Sequence, residues 1–178
     1  MTLGLGTIPG CTADRSTPVS VADLSGEEEP DQQSWNVEYY LGEGGTQRAI
    51  LRAPHLARYE QGDSVLVVLR GSAEAPVQVE VYGADDERSD VSAAEIRFYE
   101  DRRIYHLSGQ VVLTASTGRT LESDQLVWDE PGHRLRSDGF VSILSDERTL
   151  QGYGLDADEV LDNFTLHRVT GRFYVEDE

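Results

Sequence analysis

Four histidines, a single cysteine and 33 carboxylates are the residues of this 178-residue chain with the means to do chemistry. His55, His106, His133 and His167 lie in separate stretches with no i,i+2 or i,i+4 spacing. That spacing builds no metal cluster, and exposed positions at strand ends are expected for them. Asp156-Ala157-Asp158-Glu159 has the acidic rhythm of a calcium loop but lacks an oxygen ligand at 160 and the required glycine. It therefore reads as a solvated turn. Gly4-x-Gly6 and Gly152-x-Gly154 neither follow a strand nor open a helix, so neither cradles a phosphate. No GxSxG stretch occurs, and with so many acids the pairing of carboxylates carries no information. The chain is read as non-enzymatic, with no catalytic residue, metal ligand or cofactor assigned.

Charge narrows the partners. The net charge is −18, and all 15 basic residues are arginine. Such a field repels nucleic acid, whose binding relies on cationic side chains neutralising phosphate. It also suits concentrated salt, where the screening length falls to about 3 Å at 1 M. Cys11 is the only cysteine, so no internal disulfide forms. It follows a small, apolar LGLGTIPG and precedes a polar tail, as at the end of a lipoprotein signal. Cys11 is therefore expected to carry a lipid, without the basic n-region that usually comes first. No stretch approaches the roughly 20 apolar residues of a membrane span. Residues 12–34 are rich in Ser, Pro, Gly and Glu with no apolar period, and read as a flexible linker. This gives two regions: 1–34, signal remnant and linker, and 35–178, one folded domain.

The folded part repeats a phrase. Leu121-x-Ser123-x-x-Leu126-x-Trp128 matches Val91-x-Ala93-x-x-Ile96-x-Phe98 upstream and Leu150-x-Gly152-x-x-Leu155 downstream. A fainter copy is Leu51-x-Ala53-x-x-Leu56. The strand after each of the three clear copies holds Gly109, Gly139 and Gly171 in register. Self-similarity at a fixed period, with turn signals every 10–15 residues or so, predicts an all-β fold wound from one reused hairpin.

Strand alternation then selects an inward face. It holds Tyr105, Leu107, Val111 and Leu113, then Leu135, Val141 and Ile143, then Phe173. The three glycines share that face, where a missing side chain is expected to leave room for a neighbour or a ligand. Within the phrase the parity changes, Leu121 and Ser123 being odd, Leu126 and Trp128 even. A bulge or bend near Ser123-Asp124 would return both pairs to one interior and curl the sheet. If the curled sheet stays open, its inner face is an apolar trough suited to acyl chains, at about 0.8 kcal/mol per buried CH₂.

Three segments carry a family resemblance: VQVEVYGADDE, SGQVVLTASTGRTLESDQLVWDEPGHRLRSDGFVSI and GYGLDADEVLDNFTLHRVTGRF. In this order and spacing they resemble the LptC family of lipopolysaccharide-export proteins, within the OstA-like superfamily, and its lipoprotein-type members most. The likeness is weaker over 35–76 and absent before 30. It implies an open, twisted antiparallel β-jellyroll in the periplasm, tethered to the inner membrane. It implies that lipopolysaccharide is accepted from an LptB/LptF/LptG-type ABC transporter and passed to an LptA-like bridge protein. The final strand, residues 165–175 with Thr165, Leu166, His167, Arg168, Val169 and Phe173, would meet the bridge; residues 35–41 would meet the transporter. The expected groove comprises Ile96, Phe98, Tyr105, Leu107, Val111, Leu113, Leu126, Trp128, Leu135, Val141, Ile143, Leu155 and Phe173. These are assigned by parity. Arg97, Arg103 and Arg136 are expected as surface charges on the rim.

Two other readings compete. One is an LptA- or LptD-like bridge or assembly subunit, distinguished by an unmodified N-terminus. The other is a carbohydrate-binding β-roll, which requires exposed aromatics with polar partners, whereas here the aromatics share faces with Leu and Val.

Overall fold

The structure is a computed structural model that describes residues 29–83, 87–146 and 148–170. Among these every regular element is a strand. The first six are β1 (Gln32–Glu43), β2 (Thr46–Gln61), β3 (Ser64–Arg70), β4 (Val77–Tyr82), β5 (Arg88–Ala93) and β6 (Glu95–Tyr99). The remaining five are β7 (Ile104–Thr114), β8 (Thr120–Asp129), β9 (Arg134–Leu144), β10 (Thr149–Asp158) and β11 (Phe164–Thr170). All pair antiparallel in one 11-stranded sheet. The first strand begins at Gln32, ahead of Trp35, while Cys11, Gly171 and Phe173 lie outside the described residues.

The sheet is folded in two along a crease, and each copy of the repeated phrase is the place where a strand crosses it. In β2, Leu51, Ala53 and Leu56 are all buried although the last has opposite parity. Pro54 stands at the change, and Asn36 of β1, between the Trp35–His55 and Val37–Ala53 pairs, has φ 54°. Proline has no N–H for a ladder and belongs where pairing lapses. In the next copy the chain breaks outright at Ala94, leaving Val91 and Ala93 on β5 and Ile96 and Phe98 on β6. In β8, Leu121, Ser123, Leu126 and Trp128 are all buried across a register shift. In β10 the turn of the strand is Gly154, at φ 72°.

The parity change in the sequence therefore marks real bends, but the extra residues lie on the neighbours of β8. Between the Ser108–Gln125 and Val111–Ser123 pairs, β7 inserts Gly109 and Gln110 opposite Asp124 alone. Both have positive φ, 77° and 50°. β9 likewise carries the surplus against β8 and against β10 around Asp138 and Gly139. The polar groups freed there find side chains. Ser123 Oγ lies 2.9 Å from the Gln125 carbonyl and 3.0 Å from that of Phe140, and so donates to one of them. Ser137 Oγ accepts from the Gly139 N–H at 3.2 Å. Buried backbone groups left unpaired by a bulge would otherwise each carry a desolvation cost.

The expectation that the three repeated glycines open room on the inner face is corrected. A Cβ on Gly109 would come within 2.7 Å of the Ala94 Cβ, so that space is taken by the protein's own chain. Gly139 faces outward and is exposed, because the bulge in β9 rotates it off the inner face.

The crease divides the sheet into two half-sheets packed face to face. The front half-sheet contains β4 and β5, the back one β3 and β6; the long strands β1, β2 and β7–β11 contribute one end to each. This is the layered, inward-alternating arrangement of a β-jellyroll.

Candidate lipid groove and sheet edges

Cross-strand partners share a face, so the register lines up continuous rows of side chains. On the front half-sheet one row runs from Tyr39 on β1 through Leu51, Val79, Val91, Leu113, Leu121 and Ile143 to Leu150 on β10. On the back half-sheet another runs from Val67 through Phe98, Tyr105, Trp128, Leu135 and Ala157 to Phe164 on β11. The back row is aromatic in its middle. Phe98 and Tyr105 have ring centroids 4.7 Å apart, Tyr105 and Trp128 stack at 4.7 Å, and Tyr39 meets Phe98 edge-on at 5.8 Å from the opposite half-sheet. Each such pair adds about 0.5–1.5 kcal/mol to simple burial.

Twelve of the thirteen expected groove residues come together on these inner faces, and all twelve are buried. They form one core with Leu51, Val79, Val81, Val91 and Leu121. The space left between the half-sheets is about 20 Å³, room for one water and for no acyl chain. In this conformation the inner face is a packed core and not an open trough. Its two sides complement each other well enough to exclude cargo. The parity argument missed the front row supplied by the early strands; the alternation of Val77, Val79 and Val81 and the faint copy at Leu51 were the available signals.

Polar groups at the rim of the core are few and paired. Tyr39 donates to Glu100 at 2.9 Å, and burial together with that bond pushes its phenol up to about 12. Tyr105 donates to the buried Glu130 at 3.2 Å, and burial, reinforced by the Glu130 charge, drives its phenol well above the usual range. Both hydroxyls therefore remain donors. Arg97 pairs with Glu95, Arg103 with Glu130, and Arg136 with Asp129 and Asp156. The four histidines stay apart. His55, His106 and His167 lie inside strands, and His133 lies in the β8–β9 turn. The chemistry on offer is burial of apolar matter and main-chain pairing.

That pairing is available at both margins. Among the described residues β1 bonds only to β2 and β11 only to β10. At these edges the inner face is incompletely covered: Val169, opposite the buried Gly152, is 50% exposed, and Val37, Tyr39, Leu41, Phe164 and Leu166 are partly buried. Thr165, His167 and Arg168 are exposed on β11, with Arg168 over the Tyr153 ring at 4.9 Å.

Compared with known families, residues 19–174 match the one described as lipopolysaccharide-assembly, LptC-related. The chain belongs to the LptC family. No curated protein matches it. An LptC-family chain takes part in lipopolysaccharide export as a non-enzymatic component, working with the export machinery at the periplasmic side of a membrane. Among the described residues no helix is long and apolar enough to cross a membrane.

Proposed function

We propose that this LptC-family chain accepts lipopolysaccharide from an LptB/LptF/LptG-type inner-membrane transporter and hands it to an LptA-like bridge, with a lipid on Cys11 holding it at the membrane. The observation that carries this reading is the pair of unbroken apolar rows. They run across the strands from one unpaired edge to the other and are partly uncovered at both. Such rows suit acyl chains laid across the strands. Free edges suit strand addition, in which main-chain hydrogen bonds supply affinity. Residues 35–41 on β1 face the transporter in this reading, and Thr165, Leu166, His167, Arg168 and Val169 on β11 face the bridge. Because the interior is filled, transport requires the half-sheets to part, exchanging protein–protein for protein–acyl contact.

A photo-crosslinker placed at Tyr105 or Val141 is expected to capture lipopolysaccharide in membranes carrying the transporter, and one at the exposed Gln110 is not. Equal labelling at all three positions would sink the groove.

A further inference from the structure

The inner core and the outside are separated at one place by a short piece of chain. Residues 159–163, between β10 and β11, leave the back half-sheet and lie across the mouth of the sandwich against the front one. Glu159 is the centre of the contact, with a side chain only 13% exposed. It accepts from Trp128 Nε1 at 2.6 Å and His133 Nδ1 lies 3.1 Å away, both on its own side of the mouth. From the opposite side Arg48 reaches it at 3.3 Å, and Ser89 Oγ lies 3.5 Å from its carbonyl. Thr117 donates to the Val160 carbonyl at 2.9 Å, and Arg119 donates to that of Leu161 at 2.7 Å. This corrects the expectation of a solvated turn, since a hydrophobic residue and a carboxylate of this acidic stretch are both drawn inward.

Leu161 itself is fully buried and sits at φ 55°. A bulky side chain in the left-handed region is strained, and persists where the surroundings hold it. Outside this segment is a cavity of about 250 Å³ whose apolar walls are Ile143, Leu150 and Phe164, with Arg119 and Arg148 at its lip. Inside it is the small void bounded by Glu159, Trp128 and Leu113. Residues 159–161 are thus the partition between an outer apolar vestibule and the inner rows.

We propose that this vestibule is the access site for an acyl chain and that residues 159–163 are its gate, latched by Glu159 and plugged by Leu161. The proposal deepens the transport reading and rests on it for the identity of the cargo. Releasing the latch costs polar contacts at the mouth and relieves the strain at Leu161, while the sheet ladders stay intact.

The test uses the full chain with Cys11→Ser and a Thr117→Cys/Val160→Cys pair, closed by a short thiol crosslinker that reductant cleaves. Uptake of the apolar dye N-phenylnaphthylamine and of purified lipopolysaccharide is followed in both states. The crosslinked protein is expected to exclude both and the cleaved protein to admit both. Glu159→Ala, without crosslinks, should take up dye about tenfold faster, as fits the loss of one or two charge-assisted hydrogen bonds. Uptake unaffected by the crosslink overturns the gate, as does a cleaved protein that never admits dye. Dye that obeys the crosslink while lipopolysaccharide is never bound leaves the gate standing and removes the transport reading.

Discussion

Gly109 and Gly139 hold the same place in the repeat and opposite places in the structure. At Gly109 the backbone is left-handed and a Cβ would collide with the Ala94 side chain at 2.7 Å. At Gly139 the nearest atom to an added Cβ is Ser137 Oγ at 3.6 Å, an ordinary contact. Gly109→Ala is therefore expected to destabilise the fold by about 1–3 kcal/mol, whereas Gly139→Ala stays within about 0.5 kcal/mol. Urea midpoints at constant slope measure both. The sequence shows that the two positions correspond but not that they differ. Counting parity along one strand cannot reveal which partner carries the surplus residue, and the surplus decides where each glycine points. Tyr105, Trp128 and Leu135 are easier to place because unbroken alternation carries them to one face wherever the bulge lies.

At the level of elements, the 159–163 segment shows how an acidic run becomes structure. Asp158 accepts from the backbone N–H groups of Asp162 at 2.8 Å and Asn163 at 2.9 Å. Burial works against its charge, but the Asn163 side chain and these amides outweigh it and hold the carboxyl below the ordinary aspartate value. A folded-state pKa lower than the unfolded one gives stabilisation that is complete above about pH 3.9 and is lost as the pH falls through the folded value. The Asp162 and Asn163 amide resonances should hold steady down to about pH 4 and move only below it. In Asp158→Asn they should not titrate at all. Nothing in DADEVLDN alone distinguishes this from a solvated turn, because Arg48, Arg119 and Trp128, which organise it, come from strands far away in the chain.

For the molecule as a whole, the excess of acid sets the response to salt. Surface pairs such as Arg52 with Glu38 and Glu80 weaken as salt rises, and each contributes little. The net charge of −18 repels itself at low ionic strength, and that repulsion is screened too. Repulsion outweighs the pairs here, because 33 acids share 15 arginines. Going from 0.1 M to 1 M sodium chloride should raise stability by about 1 kcal/mol, or about 2–4 °C in the unfolding midpoint at this size. A midpoint that falls with salt would reverse that ordering of effects. The folded architecture was legible at this scale, since parity breaks at a regular interval announce a creased sheet. The filled interior was not, because alternation says which side chains face inward and nothing about how closely two inward faces meet.

The crease has a mechanical consequence. Every main-chain ladder runs within one leaf of the molecule, and the bent strands that join the leaves are continuous covalent spines. Prising the leaves apart breaks side-chain contact and the few latching bonds, none of it a strand pairing. Dispersion and hydrophobic contact are non-directional and nearly indifferent to whether the matching surface is a leucine or a fatty tail. The molecule can thus unzip one rung at a time ahead of a passenger and reseal behind it, so that the opening travels while the scaffold keeps its shape.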